Sequence, residues 1–389
     1  MRFHGALATD HDVETCSRTI AASVAQGLGD GAPDLVVVFA TTHFGPQLDR
    51  VPVLLHERLG CNSLIGCTGQ NLIVGEEVVA DRPALAVLAG RLPGVQLDVA
   101  VLGNAELPNP DAPPGAWREL LPASIAPRRG MVVLCEPFHC DTRALLAGLD
   151  YGWPDVPKLG GVASGSRHPE GHALFANRAT HRQGAVVLSV AGEARIDPVV
   201  SQGCRPIGRP GRITKADRNR LVAVDEQPAG RFVQRQLAAL GADDLELARR
   251  GPLFLGIESD PFALPGQGGG DYLVRNIFGL EPESGHLLVG EHLASGRQVQ
   301  LHLRDRDGSE RDLRLRLRDA RPAETAGALL FRCLGRDGSD EREFARAAPG
   351  VPLVGFHCNG EIGPVGQTTH LHCYTASLAL FRPLGPVAP

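Results

Sequence analysis

The sequence predicts an α/β protein whose mixed sheets are built from repeated β-α-β-β-β units, arranged in two closely packed parts. The main observation is a repeat: short turns ending at Gly69, Gly165 and Gly360 each follow an apolar run and a stretch with helical spacing. Such self-similarity indicates one composite architecture. The chain has 389 residues, of which 43% are hydrophobic, enough to bury a large core.

The first unit is preceded by a helix, because apolar residues recur at helical spacing from Val13 to Leu28. Residues 34–40 form a valine-rich run that predicts a strand covered on both faces. The rest of the unit is predicted as a helix, a strand, the glycine turn and a strand pair, at 48–59, 62–65, 66–69 and 72–80 with 83–89.

The same order recurs twice. The second copy is predicted as a strand, a helix, a turn and a strand pair, at 130–135, 141–149, 160–165 and 173–178 with 184–190. The third is predicted as a strand, a helix, a turn and a last strand, at 327–334, 339–348, 355–363 and 375–381.

Two stretches interrupt the repeat. Residues 195–240 predict a strand pair followed by a helix over 228–240. Residues 251–318 predict mainly strands, because apolar and polar residues alternate at 299–303 and 313–317, on either side of the turn at Asp307-Gly308. The glycine-rich stretch 266–270 is interpreted as a connecting loop or as a lid over a ligand.

Composition excludes several classes of protein. The net charge is −5, and the arginines are mixed with acidic residues, so no basic stripe indicates nucleic-acid binding. The N-terminus lacks the apolar region of a secretory signal, and no apolar run has the length of a membrane span. Several of the nine cysteines lie inside apolar runs, which predicts a reducing cytoplasm and no disulfide framework.

Several motifs resemble those of the FIST family, whose name abbreviates F-box and intracellular signal transduction. They lie at 66–69, 75–78, 200–208, 273–276 and 355–364, and the resemblance spans about residues 30–382. It implies a helical lead-in, an N-terminal part, a C-terminal part and a tail, at 1–29, 30–225, 226–382 and 383–389.

The resemblance also implies a function. It predicts a cytoplasmic sensor that binds a small molecule between its two parts, and amino-acid-like ligands have been proposed for the family. Occupancy would be reported to a separate signalling protein, such as a histidine kinase or a cyclic-di-nucleotide enzyme. No bound cofactor is required, although some bacterial members resemble haem-binding nitric-oxide sensors, so a haem-based sensor is the first alternative.

The third glycine turn is the strongest candidate for a ligand site. Cys358, Asn359, Gly360 and Glu361 lie together after an apolar strand. Asn359 can donate and accept hydrogen bonds, Glu361 can hold an ammonium group, and glycine amides can bind a carboxylate. The competing interpretation is a purely structural turn.

Other candidates could contribute to the same site. Cys67 and Thr68 in the first copy and Ser164 in the second lie at related turns, which would converge if the copies pack around a pseudo-axis. Arg205 and Arg275 are interpreted either as clamps for a ligand carboxylate or as ion pairs that brace the two parts.

Enzymatic and metal-binding interpretations have weaker support. A second alternative function is a cysteine-dependent enzyme that uses Cys67 or Cys358, but no partner residues are evident. The sequence contains no Cys-x-x-Cys pair, so no metal site is predicted. If haem binds, His139 or His357 would be its axial ligand.

Overall fold

The structure is a computed structural model that describes residues 1–29, 31–259 and 272–385. The chain divides into two compact units, a first unit of residues 1–201 with 313–389 and a second unit of residues 202–312. The glycine-rich stretch 266–270 and the last four residues of the predicted tail lie outside the described residues.

Two of the helices begin directly after an aspartate that caps their first turn. Asp12 accepts hydrogen bonds from the backbone N–H groups of the first turn that follows it, and Asp141 does the same for the helix after it. The helices are α1 (Val13–Leu28), α2 (Val51–Leu59), α3 (Pro114–Arg118), α4 (Thr142–Gly152), α5 (Ala229–Ala238), α6 (Ala242–Arg250), α7 (Arg306–Ala320) and α8 (Asp340–Ala347).

The strands of the first unit precede and follow those of the second. Those before it are β1 (Arg2–Ala8), β2 (Leu35–Ala40), β3 (Ser63–Thr68), β4 (Leu72–Val74), β5 (Glu77–Val79), β6 (Leu85–Arg91), β7 (Val95–Leu102), β8 (Arg128–Cys135), β9 (Lys158–Val162), β10 (Leu174–Ala176), β11 (Ala179–His181), β12 (Ala185–Gly192) and β13 (Ala194–Gln202). The second unit contains β14 (Cys204–Asp217), β15 (Arg220–Val224), β16 (Gln227–Pro228), β17 (Leu253–Glu258), β18 (Tyr272–Leu280), β19 (Leu287–Val289) and β20 (Gln298–Arg304). The first unit then resumes with β21 (Gly327–Cys333), β22 (Leu353–Cys358), β23 (Glu361–Val365), β24 (Thr368–His372) and β25 (Thr375–Pro383).

Three six-stranded sheets of the first unit share one strand order, which confirms the predicted repeat of α/β units. At the centre of each sheet lies a parallel pair, β2–β3, β8–β9 or β21–β22, joined by the crossover helix α2, α4 or α8. Beside each pair lie a return strand and then a lead strand, namely β6 and β1, β12 and β7, or β25 and β13. One apolar core extends through all three sheets.

The outer two strands of each sheet come from another copy. The hairpin β4–β5 pairs with β22, the hairpin β10–β11 pairs with β3, and the hairpin β23–β24 pairs with β9. The predicted pairing of 72–80 with 83–89 is therefore wrong, because 72–80 is itself the hairpin and 83–89 contributes the return strand β6. The predicted pairing of 173–178 with 184–190 is also wrong, because 173–178 contains β10, which pairs with β11 and β3, whereas 184–190 contributes the return strand β12.

A glycine in the second strand of each parallel pair has a common steric cause. A Cβ at Gly66, Gly160 or Gly355 would overlap a backbone carbonyl oxygen of the adjacent parallel strand. The strand register makes these three glycines equivalent, and it therefore places Cys67 opposite Phe39 just as Phe356 lies opposite Phe331. Cys67 thus corresponds to Phe356 and not to Cys358.

In the second unit a sheet closes on itself, because β14 pairs with both β20 and β15. The predicted helix over 228–240 is present as α5. The predicted strand at 313–317 is wrong, since these residues belong to the helix α7. Leu313 and Leu317, four residues apart, are buried on one helix face, whereas Leu315 is 52% exposed. The predicted N-terminal lead-in also contains a strand, β1, that the sequence reading missed.

Candidate functional site

The three glycine turns meet in one place, which we call the turn junction and define as residues 68–71, 162–165 and 357–361. They follow the carboxyl ends of β3, β9 and β22, the strand ends beside which ligands bind in many α/β folds. Backbone hydrogen bonds join each pair of segments: Ser164 N donates to Thr68 O at 3.1 Å, Val162 N to Gly360 O at 2.9 Å, and His357 N to Asn71 O at 2.9 Å.

Most of the predicted ligand-binding residues here are buried. Thr68, Ser164, Cys358 and Glu361 are fully buried, whereas Asn359 is exposed. The hydroxyl of Ser164 connects the copies, because it donates to the carbonyl oxygen of His357 and accepts from the backbone N–H of Gln70 at 2.9 Å. These side chains thus hold the junction together, and Asn359 is the one among them that faces solvent.

Glu361 is a buried acid whose hydrogen bonds come from its own copy. Its Oε2 accepts from Thr375 N at 3.0 Å, and its Oε1 accepts from Cys358 Sγ at 3.4 Å. Burial raises the pKa of Glu361 to about 8, against the opposing effect of these hydrogen bonds. The carboxyl group therefore changes charge near neutral to mildly alkaline pH.

The cysteines considered as nucleophiles are shielded. Cys67 and Cys358 are fully buried, and burial raises the pKa of each thiol well above its ordinary value. Only the thiolate is an effective nucleophile, and reactive cysteines lie in exposed, electropositive surroundings. A buried thiol with a raised pKa does not meet these conditions. The geometry gives the cysteine-enzyme alternative no support.

His357 belongs to a buried charged network. Arg332 donates from Nη1 to His357 Nε2 at 3.1 Å, and its Nε donates to Asp340 at 2.8 Å. Arg336 also donates to Asp340, at 2.9 and 3.0 Å. The side-chain nitrogen of Asn71 is placed 3.0 Å from Nδ1. Since Nε2 accepts, Nδ1 of the neutral ring carries the hydrogen, so we assign the Asn71 amide the flipped orientation, in which its oxygen accepts. Burial and Arg332 lower the pKa of His357 to about 4, which keeps the ring neutral.

The two histidines proposed for haem differ in what they can offer. Both ring nitrogens of His357 are engaged, so this residue does not fit the role of an axial ligand. His139 lies in an exposed loop, and its Nδ1 is 3.1 Å from Glu136 Oε2, an arrangement that orients imidazole ligands in many haem and metal sites. Haem binding through His139 remains a prediction. In the described ranges, His, Cys, Asp and Glu residues form no group of three that could hold a metal ion.

Arg205 and Arg275 lie in the second unit, and carboxylates of that unit engage both. Arg205 donates to Asp305 and Asp244. Arg275 donates from Nε to Glu291 at 2.7 Å and is nearly buried. A ligand carboxylate at either position would have to displace an existing partner.

A cavity of about 760 Å³ opens beside the turn junction, at Gly165 and Ser166 of the second copy. Thr42 and Arg182 are among the residues that line it, and Thr42 Oγ1 donates to Gly165 O at 2.9 Å. Arg182 donates from Nη2 to Asp49 at 2.5 Å. Sequence reasoning missed these lining residues, because no local motif marks positions that only the hairpin exchange brings together.

Sequence reasoning also missed Arg332, although the sequence carries a signal for it. This arginine lies inside an apolar run at the end of β21, where an apolar side chain would be expected.

In the portion of the chain that the structure covers, no helix has both the length and the apolar character of a membrane-spanning segment.

The fold and the turn junction define an α/β protein built from three interlocked copies of one unit. The FIST N domain matches residues 34–227 and the FIST C domain matches residues 229–364. The chain belongs to the FIST family, and FIST domains are associated with sensory signal transduction and with the binding of small ligands.

The chain is similar over its length to mycobacterial proteins. It is 31% identical over 395 residues to uncharacterized protein Rv0628c of Mycobacterium tuberculosis, an alignment that covers 98% of this chain and 100% of that protein. It is also 31% identical over 396 residues to uncharacterized protein Mb0898c of Mycobacterium bovis, covering 98% of this chain and 99% of that protein.

Proposed function

We propose that this chain is a sensory protein that binds a small polar ligand, such as an amino acid or a related metabolite, and reports occupancy to a partner protein. The observation that supports the proposal best is the cavity beside the turn junction. Its volume of about 760 Å³ lies within the range of ligand pockets, and it adjoins the carboxyl ends of parallel strands. The association of FIST domains with small ligands agrees with it.

The chemistry of the cavity suits a carboxylate. The guanidinium of Arg182 is about one-third exposed and is held in place by a hydrogen bond from Nη1 to His172 O at 3.1 Å. Its present partner Asp49 is 61% exposed, so water screens this ion pair and it contributes little stability. A ligand carboxylate can therefore replace Asp49 at Arg182 with little loss, and it gains a planar, two-pronged donor.

The turn junction offers a physical route for a signal. Its hydrogen bonds cross from copy to copy, so a ligand that shifts the segment 162–165 also strains the contacts of 68–71 and 357–361. A ligand changes what a partner meets only if it binds one arrangement more tightly than another. The partner in this proposal is a signalling protein, such as a histidine kinase or a cyclic-di-nucleotide enzyme.

The test is a thermal-shift screen of the full chain against the twenty amino acids and related carboxylates, followed by calorimetric titration of those that raise the melting temperature. Binding stabilises the native state by mass action. The variant Arg182→Gln should weaken binding by at least about tenfold, because it removes a charge-assisted pair of hydrogen bonds.

Arg178→Gln is the matched control. Arg178 is exposed and lies 4.0 Å from Glu57, outside the residues that line the cavity. Unchanged affinity in Arg178→Gln with weakened affinity in Arg182→Gln would support the proposal. If no compound of the panel stabilises the wild-type protein, the proposed class of ligand is wrong.

A further inference from the structure

Two buried side chains next to this cavity each keep a polar atom without a hydrogen-bond partner among the described residues. Glu136 and His172 are fully buried, and the atoms concerned are Glu136 Oε1 and His172 Nδ1. A buried polar atom that lacks a partner costs free energy, so its presence in a folded protein calls for an explanation.

Both atoms are hydrogen-bond acceptors. His172 Nε2 lies 3.1 Å from the carbonyl oxygen of Ser166, which can only accept, so Nε2 carries the hydrogen. Burial lowers the pKa of His172, which favours the neutral ring and leaves a lone pair on Nδ1. Glu136 Oε1 is a carboxylate oxygen. The two atoms therefore require a donor.

An aromatic residue links the two side chains. Glu136 Oε2 accepts from the backbone N–H of Phe138 at 3.0 Å and from that of His139 at 2.6 Å, which fixes this loop. The Phe138 ring lies against the His172 ring with centroids 5.7 Å apart, and Phe138 is 51% exposed. Carboxylate, imidazole and phenyl groups are thus brought together, with the phenyl ring at the surface.

These groups adjoin the cavity described above. His172 contacts two residues that line the cavity, Ser166 and Arg182. Its imidazole lies against the carbonyl oxygen of Ser166, and its own backbone carbonyl accepts from Arg182. The backbone N–H of Glu136 donates to Gly184 O at 2.9 Å, one residue beyond the lining residue Gln183. Glu136 and His172 do not line the cavity themselves; they belong to the buried layer that supports the wall formed by Ser166, Arg182 and Gln183.

We propose that Glu136 and His172, together with the ring of Phe138, bind the primary ammonium group of the ligand. The inference rests on the proposed function, since the same cavity would admit that ligand. Two of the three N–H donors of an ammonium group satisfy the two unpartnered acceptors, and the face of the phenyl ring attracts the cation. With Arg182 on the carboxylate, the site selects an amine-bearing carboxylate over its N-acetylated form.

The experiment uses ¹³C-methylammonium as a probe of this subsite alone, titrated into the full-length protein and followed by ligand-observed NMR. We expect saturable binding to the wild-type protein. Glu136→Gln should weaken it by at least about tenfold, since the charged acceptor is lost. Phe138→Leu, at an exposed position, should weaken it by about two- to fivefold through loss of the ring face. The exposed Glu119→Gln is the matched control, with unchanged binding.

Far-UV circular dichroism verifies that each variant is folded, and Phe138→Leu provides a readout if Glu136→Gln is not. Absence of saturable methylammonium binding to wild type, or equal binding by the wild type, Glu136→Gln and Phe138→Leu, overturns the subsite. If amino acids bind but methylammonium does not, the ammonium subsite fails alone. If methylammonium binds but no amino acid does, the proposed class of ligand fails and the subsite stands.

Discussion

Two buried carboxyl groups near the turn junction differ in how their charge is balanced. Asp340 accepts from the guanidinium groups of Arg332 and Arg336, so its negative charge has strong partners. Glu361 accepts from the backbone N–H of Thr375 and from the thiols of Cys358 and Cys333, which are weaker donors. Desolvation therefore dominates at Glu361 and raises its pKa to about 8. The two carboxyl groups thus differ in the donors that surround them, and at Glu361 these donors do not offset the effect of burial.

The raised pKa of Glu361 predicts a dependence of stability on pH. The folded protein holds this proton up to about pH 8, whereas the unfolded chain releases it near its ordinary value of 4.5. Between these values the folded state binds more protons, so the free energy of unfolding falls as the pH rises, by on the order of 1 kcal/mol per pH unit from this group.

Urea denaturation at pH 5.5, 6.5, 7.5 and 8.5 checks this expectation. Glu361→Gln lacks the titrating group and should show a flatter profile, with its stability relative to the wild type improving as the pH rises. The difference between the two profiles isolates this residue from other titrating groups. Parallel profiles over the whole range would contradict the raised pKa.

At the scale of elements, the glycine repeat is a consequence of strand packing. Gly66, Gly160 and Gly355 each allow the two parallel strands of their copy to approach, because a Cβ would overlap a carbonyl oxygen of the neighbouring strand. The glycine repeat in the sequence therefore results from a steric requirement inside each sheet. The turn that follows each glycine-containing strand is placed by that strand.

The variant Gly160→Ala tests this requirement. The added Cβ would overlap Val133 O, a backbone atom that cannot move without disturbing the pairing of β8 with β9. We expect a loss of about 3 kcal/mol or more in the free energy of unfolding, measured by urea denaturation.

Gly115→Ala is the comparison, because nothing lies within 4 Å of a Cβ at this helical position. It should be neutral or stabilising by up to about 1 kcal/mol. If Gly160→Ala behaves like Gly115→Ala, the steric explanation of the repeat is incorrect. Gly66→Ala provides the same test in the first copy should Gly160→Ala fail to fold.

How far the sequence predicts the structure depends on whether the determining contacts are local. The repeat and the crossover helices follow from short patterns of apolar residues and from caps such as Asp141. The prediction of a strand at 313–317 was wrong because the alternation of leucine and arginine is also compatible with a helix, in which Leu313 and Leu317 are buried on one face.

The candidate site shows the same limit. The sequence predicts that the glycine turns could converge, and they do, but it does not say whether a polar side chain at a turn faces inward. Ser164 and Glu361 face the interior, whereas Asn359 faces solvent. The positions of Glu136 and Arg182 depend on residues distant in sequence, because Glu136 N donates to Gly184 O and Arg182 donates to Asp49.

At the scale of the whole first unit, the exchanged hairpins interlock the three copies. Each copy completes its neighbour's sheet, since β4–β5, β10–β11 and β23–β24 pair with β22, β3 and β9 respectively. A copy cannot unfold without removing two strands from another sheet. We therefore expect the three sheets to open as one cooperative unit, although they lie far apart in sequence.

Ile73→Ala tests this cooperativity. Ile73 is fully buried in the hairpin of the first copy, and it pairs with Gly355 in the sheet of the third. Truncation should lower the free energy of unfolding by about 2 to 5 kcal/mol. Hydrogen exchange measured by mass spectrometry should show an equal loss of protection in β2, β8 and β21. Because β8 makes no pairing with this hairpin, a loss there can only come from shared opening. A loss of protection confined to the first and third copies would show that the copies unfold separately. A second variant, Ile213→Ala, truncates a buried side chain of the second unit and shows whether that unit exchanges independently.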